Sequence, residues 1–180
     1  MTRIVAGAAK GRTIKVPASG TRPTSERVRE ALFSRLDHLG YIEGCAVLDL
    51  YSGSGALGLE AASRGAAFVE CVESSRKAAE LIRANARALN LRAKVSCMRV
   101  ESRLADPSQT AFDVVFLDPP YDLDEGRLAA VLAPLPDGVA VVERSSRSPE
   151  PAWPAGFATT DERAFGDTRI FSVSPARLDA

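Results

Sequence analysis

Residues 46–58 read Ala46-Val-Leu-Asp-Leu-Tyr-Ser-Gly-Ser-Gly-Ala-Leu-Gly58, an apolar run that passes directly into a glycine-rich turn and then into helix-forming residues. The Val/Leu run predicts a buried strand, and Gly53, Gly55 and Gly58 have the GxGxxG spacing of a strand-to-helix turn that brings backbone amides close to a nucleotide. Gly53 and Gly55 permit the tight turn and the close approach, while Gly58 lets the helix pack against the sheet. Asp49, Tyr51, Ser52, Gly53, Ser54 and Gly55 are therefore candidate cofactor-binding residues. Twenty residues past Gly53, Glu73 ends the next apolar run, where a carboxylate can accept hydrogen bonds from both ribose hydroxyls.

The same pattern continues outward. Apolar runs fall at residues 46–50, 67–72, 94–98, 112–117 and 139–143, and residues 56–63, 75–89 and 125–132 between them have helical composition. Near-continuous apolar strands alternating with helices predict an α/β fold with a parallel sheet covered on both faces. The tail, with runs at 157–160 and 168–173 joined through Gly166-Asp167, predicts an antiparallel hairpin at the sheet edge. Upstream, Ile4-Val5 and residues 13–16, separated by Gly7 and Gly11, predict a small amino-terminal hairpin. A helix capped by Thr24 or Ser25 follows, with Val28, Ala31, Leu32, Leu36 and Leu39 on its core face as far as Gly40.

Composition narrows the class. The 180 residues suit one domain, and 46% hydrophobic with 26% charged residues excludes a wholly disordered chain. No apolar run approaches the ~20 residues of a membrane span, and the opening residues lack a secretory signal, so a cytoplasmic protein is expected. Cys45, Cys71 and Cys97 form no CxxC pair and are expected as small core residues, with no disulfide. The single His38 leaves neither a zinc site nor a histidine-based triad to assemble, and no metal is expected.

A formal net charge of zero conceals an asymmetry: the first forty residues hold eight Lys/Arg against three acids. Up to Ser25 there is no acid, so Arg3, Lys10, Arg12, Lys15 and Arg22 have no local partner and are candidate contacts to nucleic-acid phosphates, the alternative being a solvated basic arm.

A ribose-binding Glu73 fits both NAD and S-adenosylmethionine. Asp49 separates them, because a carboxylate inside the strand suits the amino group and sulfonium of S-adenosylmethionine and offers nothing to a pyrophosphate. It can alternatively cap the turn or pair with an arginine. At the end of the fourth run stands Asp118-Pro119-Pro120-Tyr121, on the carboxyl edge of the sheet where open α/β folds bind ligands. The prolines fix two φ angles and stiffen the corner. Asp118 and the Pro119 carbonyl can accept both N–H groups of an exocyclic base amine, holding its nitrogen toward the methyl donor. Tyr121 offers a face on which the extruded base can stack.

These residues carry a resemblance that covers nearly the whole chain. Arg3-Ile-Val-Ala-Gly7, Lys10-Gly11-Arg12, the stretch Arg22-Pro-Thr-Ser-Glu-Arg-Val-Arg-Glu-Ala-Leu-Phe33, the glycine turn and Asp118 to Tyr121 resemble the RsmD family of bacterial small-subunit rRNA guanine-N2 methyltransferases. The resemblance implies a Rossmann-like S-adenosylmethionine-dependent methyltransferase fold, with a basic RNA-binding hairpin extension at 1–24 and the methyltransferase domain at 25–180. It implies methylation of one guanine N2 in 16S rRNA, in the assembled or assembling small subunit; nothing in the sequence demands more than a monomer. Two positions depart from the family pattern: Arg99 stands where many relatives carry an acid beside the adenine, leaving the Val100 backbone N–H to receive that ring, and Ser74 follows Glu73 where relatives can carry a further acid. An adenine-N6 methyltransferase and a non-catalytic RNA-binding assembly factor remain as alternative readings.

Overall fold

The computed structural model describes residues 1–17, 25–106, 111–120, 123–134 and 138–175. In chain order the elements are β1 (Thr2–Arg3), β2 (Thr13–Ile14), α1 (Glu26–His38), β3 (Ala46–Leu50), α2 (Ala56–Ser63), β4 (Phe68–Val72), α3 (Arg76–Leu89), β5 (Lys94–Ser96), α4 (Val100–Leu104), β6 (Val114–Leu117), α5 (Glu125–Leu132), β7 (Val139–Ser145), β8 (Phe157–Phe165) and β9 (Thr168–Pro175). The central sheet has the order β5-β4-β3-β6-β7-β9-β8. Its first five strands are parallel, and β9 and β8 complete it as an antiparallel edge hairpin. Strands β1 and β2 form a separate small antiparallel pair. Because β4 lies on one side of β3 and β6 on the other, the chain reverses direction across the sheet at β3. That reversal opens a crevice at the carboxyl ends of these strands.

Pleating sends alternate residues of each strand to opposite faces. Val47, Val69, Cys71, Val114, Phe116 and Val141 point to one face, packed by α1, α2 and α3. Leu48, Leu50, Val72, Val115, Leu117 and Val142 point to the other, packed by α4 and α5. Helix α1 starts at Ser25, whose side chain accepts the Val28 N–H, and stops at Gly40, φ +75°. Leu39, expected on the core face, lies beyond the last turn at the C-cap and is 47% exposed. The short helix α4 is absent from the sequence reading, since five residues give no resolvable period. Of the cysteines only Cys71 is buried; Cys45 is half-buried and Cys97, beyond β5, is exposed.

The amino-terminal hairpin is packed, not free. Ile4, Ala9 and Ile14 share a small core with Ala56, Leu59, Ala86 and Leu89 of α2 and α3. Val5 and Ala6 donate their backbone N–H groups to the fully buried Glu60 carboxylate, at 2.8 and 3.0 Å. The same carboxylate takes the Arg64 Nε–H at 2.8 Å. A buried acid is tolerated there because its lone pairs are filled by amides and one guanidinium.

Candidate active site

The crevice is built on β3 and its turn. Asp49 is 2% exposed, and its Oδ2 accepts the Gly58 N–H at 2.9 Å. It thus satisfies an amide in the first turn of α2, which has no intrahelical partner. Burial pushes its carboxyl up to about 7, against the help of that hydrogen bond. Gly58 has no room for a side chain: a Cβ there would lie 2.6 Å from Cys71 Sγ and 3.1 Å from Asp49 Oδ2. Gly55, φ +79°, would set a Cβ 2.8 Å from Ile82 of α3. Close helix packing therefore accounts for both glycines.

Glu73, immediately past β4, ties two loops together. Its Oε2 accepts the Gly53 N–H at 2.9 Å and its Oε1 the Ser75 N–H at 2.7 Å. Ser52, buried, donates its N–H to the Val72 carbonyl and its hydroxyl to the Asp49 carbonyl. Each Glu73 oxygen keeps a further lone pair, so the carboxylate can still accept ribose hydroxyls. The Ser54 carbonyl accepts from Asn85 Nδ2 at 3.2 Å. The same buried amide of α3 pairs with the Lys15 backbone at both ends, accepting its N–H and donating to its carbonyl. Asn85 thus joins the amino-terminal hairpin to the glycine turn, and the sequence reading missed it, because one Asn inside a helix carries no spacing signal.

Asp118 and Pro119 follow β6 directly. Leu117 pairs in register with Val142 of β7, so Asp118 lies beside Glu143, on the same sheet face as Asp49. Burial, then the charges of Glu143 and Asp49, hold the Asp118 carboxyl well above the usual carboxylate range. Glu143, 8% exposed, was also missed, although an acid ending an apolar run at the carboxyl edge of the sheet is a readable signal. The buried Pro119 carbonyl accepts nothing from the described residues, whereas the Pro120 carbonyl takes the Leu123 N–H at 3.0 Å. Tyr121 lies outside the described residues.

Tyr51 adopts φ +60°, a left-handed conformation costly for an aromatic residue. Its ring packs on the α4 and α5 side of the sheet, and its buried hydroxyl has no hydrogen-bond partner among the described residues. Burial and Glu101 push that hydroxyl up to about 12, opposed by Arg127. Arg99 is the exposed N-cap of α4 without a capping side-chain bond, and Val100 opens the helix with its side chain in the core. The Val100 amide is thereby one of the first-turn N–H groups that a helix leaves unpaired.

The basic candidates separate. Arg3 is not without a partner: it forms an ion pair with Glu26 at 2.9 Å. Arg12 donates to the Leu89 and Ala88 carbonyls at the end of α3. Arg29, counted in the basic segment, is 1% exposed and holds Thr2 and the Arg3 carbonyl. Lys10 and Lys15 are exposed. Arg22 lies outside the described residues. Among the described residues no helix is long and apolar enough to cross a membrane.

The model of the family described as Conserved hypothetical protein 95 matches residues 2–174. The "Putative rRNA methyltransferase YlbH" of Bacillus subtilis is 32% identical over 182 residues, covering 93% of this chain and 96% of that protein. The chain belongs to the RsmD methyltransferase family. The Escherichia coli member named "Ribosomal RNA small subunit methyltransferase D" is 41% identical over 121 residues, or 66% of this chain and 60% of that one. The solved structure titled "Putative methyltransferase yhhF from Escherichia coli" superposes with a TM-score of 0.86 at 31% identity, covering 98% of this chain and 99% of that one. The fold of the family is therefore the Rossmann-like methyltransferase fold, with the edge hairpin and the amino-terminal pair in place, and its cofactor is S-adenosylmethionine.

Proposed function

We propose that this protein transfers a methyl group from S-adenosylmethionine to the exocyclic N2 amine of one guanine in 16S rRNA, presented in the assembled or assembling small subunit. The observation that carries the reading is the corner after β6. Asp118 and the Pro119 carbonyl are two acceptors on a proline-stiffened backbone, set in the crevice beside Asp49 and the glycine turn. The names of the rRNA methyltransferase relatives support the nucleic acid.

The residues present fit the cofactor. Asp49, Asp118 and Glu143 put three carboxyls on one sheet face, and their mutual repulsion is relieved by a cationic ligand. Asp49 would hold the amino and sulfonium end, Glu73 the ribose, and the Val100 N–H the adenine. When bound, S-adenosylmethionine supplies an electrophilic methyl group carried on a sulfonium.

The rest of the chemistry belongs to the chain. A base amine conjugated with its ring is a weak nucleophile, so it must be held with its lone pair free. Asp118 and the Pro119 carbonyl, each accepting one N–H, impose that geometry. On gaining a methyl the nitrogen gives up one proton, and the raised Asp118 carboxyl is basic enough to take it. Tyr121 stacks on the extruded base. Lys10 and Lys15 on the hairpin supply phosphate contacts, and Arg22 extends them. The protein acts as a monomer in the cytoplasm.

Nucleoside mass spectrometry tests the reading. Undermethylated small subunits and free 16S rRNA are each incubated with the protein and S-adenosylmethionine. N2-methylguanosine formed on the subunits is the expected result. N6-methyladenosine would keep the mechanism and change the base, and absence of product on both substrates would overturn the enzymatic reading.

A further inference from the structure

At the amino ends of β4 and β5, on the opposite edge of the sheet from the crevice, an open groove of about 510 Å³ lies between the strands and the last turns of α3. Its walls carry Arg83, Arg87, Arg92 and Lys94, and its floor includes Phe68, 37% exposed. The cations come from one stretch: residues 76–94 hold six Lys/Arg and a single acid, Glu80. Arg76 pairs with that acid, Lys94 reaches Glu70, and Arg83 donates to the Val95 carbonyl. Arg87 and Arg92 are exposed and meet no acceptor among the described residues.

Helix capping does not explain Arg87. A basic residue in the last turn ordinarily serves the four terminal carbonyls. Here the Ala86 and Arg87 carbonyls accept from the Asn90 and Leu91 amides, and the Ala88 and Leu89 carbonyls accept from Arg12. With all four satisfied from elsewhere, the Arg87 guanidinium is left for an outside anion.

We propose that this groove is a docking surface for a single-stranded segment of RNA, with Arg87 and Arg92 on its phosphates and a base against Phe68. Exposed cations flanking an exposed aromatic ring are the usual arrangement for binding single strands, in which the backbone tracks the charges and bases stack on the ring. The five residues of β4 at about 3.3 Å each place the groove about 16 Å from Glu73. The groove therefore grips RNA outside the modified nucleotide and sets affinity without touching the chemistry. This rests on the reading of the protein as an rRNA methyltransferase.

The test is a salt titration of binding to a fluorescein-labelled single-stranded oligoribonucleotide, for the full chain and for Arg87→Ala/Arg92→Ala, Phe68→Ala and Arg76→Ala. The double variant is expected to bind severalfold more weakly, with a log–log salt slope shallower by about 1.4 for two lost contacts. Phe68→Ala should weaken binding with the slope unchanged, and Arg76→Ala should do neither. On undermethylated subunits the double variant should raise KM and leave kcat and cofactor affinity unaltered. An unchanged slope and affinity in the double variant would overturn the proposal. So would a defect seen with subunits but not with naked RNA, which would assign the groove to a ribosomal protein. If the unaltered protein binds RNA through the groove yet methylates nothing, the enzymatic reading fails and the groove stands.

Discussion

Asp118 and Glu143 follow the registered pair Leu117 and Val142 on neighbouring parallel strands, which puts two carboxyls side by side at the carboxyl edge of the sheet. Burial and then this neighbour hold Asp118 far from its ordinary ionisation, and Asp49 adds to the same effect from β3. Acids that repel one another at one site are relieved by a cationic neighbour, and Asp118 has to be ionised before it can accept a proton.

The acid limb of the pH–rate profile should report Asp118. The ionised carboxylate is the working form, so activity falls as pH falls through its raised pKa. Glu143→Gln removes one like charge, lowers that pKa and moves the limb to lower pH, and with one carboxyl fewer on that sheet face the cationic cofactor should bind more weakly. Asp118→Ala should reduce kcat on the order of a hundredfold or more, with cofactor affinity within a few fold. A limb that stays in place in Glu143→Gln would mean the two carboxyls do not communicate.

Asp49 makes stability itself pH-dependent. Its carboxyl titrates at about 7 in the folded protein against 3.8 for the ordinary group. Between those values the folded state holds the extra proton, so stability falls as pH rises, by at most about 4 kcal/mol from this group. Asp49→Asn keeps an oxygen for the Gly58 N–H and cannot ionise. Denaturant unfolding at pH 5 and pH 8 should show a smaller loss in the variant than in the unaltered protein, while cofactor affinity drops because the negative charge is gone.

Arginine and lysine on the hairpin should behave oppositely. Arg12→Ala uncaps two carbonyls of α3 and is expected to lower stability by about 1 kcal/mol, with the salt slope of RNA binding unchanged. Replacing Lys10 and Lys15 by Gln should leave the unfolding midpoint in place and flatten that slope. Equal salt effects from the two changes would show Arg12 on phosphate after all.

Most of the fold was legible because buried parallel strands leave unbroken apolar runs: residues 46–50, 56–63 and 125–132 match β3, α2 and α5 residue for residue. Strands at 67–72 and 112–117 proved shorter at their starts, where Ala67 and Phe112 precede the ladder. The glycine turn, Glu73 and the corner after β6 were legible from spacing. What sequence did not reveal are partnerships between distant residues. Arg3 finds Glu26, Arg12 finds the end of α3, and Arg29 of α1 is buried, so charge counted along the chain overstated the charge left for an outside partner in the first forty residues. The basic face of α3 was hidden in the opposite way, averaged into an acidic remainder. Cys97 was assigned to the core on residue type and Leu39 on helical spacing, and both stand just past the ends of their elements.

Asn85 decides whether the hairpin and the cofactor turn act together. Its side chain takes the Lys15 N–H at 3.0 Å and donates to the carbonyls of Lys15 and Ser54 at 2.9 and 3.2 Å. Both donated bonds come from the amide nitrogen, so Asn85→Asp keeps the acceptor for Lys15 and turns an oxygen toward two carbonyl oxygens. A buried site without donors for these carbonyls costs about 1–3 kcal/mol for each group left unsatisfied. The variant should therefore unfold at lower denaturant and, if the turn depends on this link, bind S-adenosylmethionine more weakly as Ser54 loosens. Calorimetric titration of the cofactor, with and without an oligoribonucleotide, separates the two consequences. In the unaltered protein, RNA bound at the hairpin should tighten cofactor binding through this link, and by linkage the cofactor should then tighten RNA. In Asn85→Asp this mutual tightening should vanish even where both ligands still bind. Persistence of the coupling would place the connection between hairpin and turn elsewhere than in this side chain.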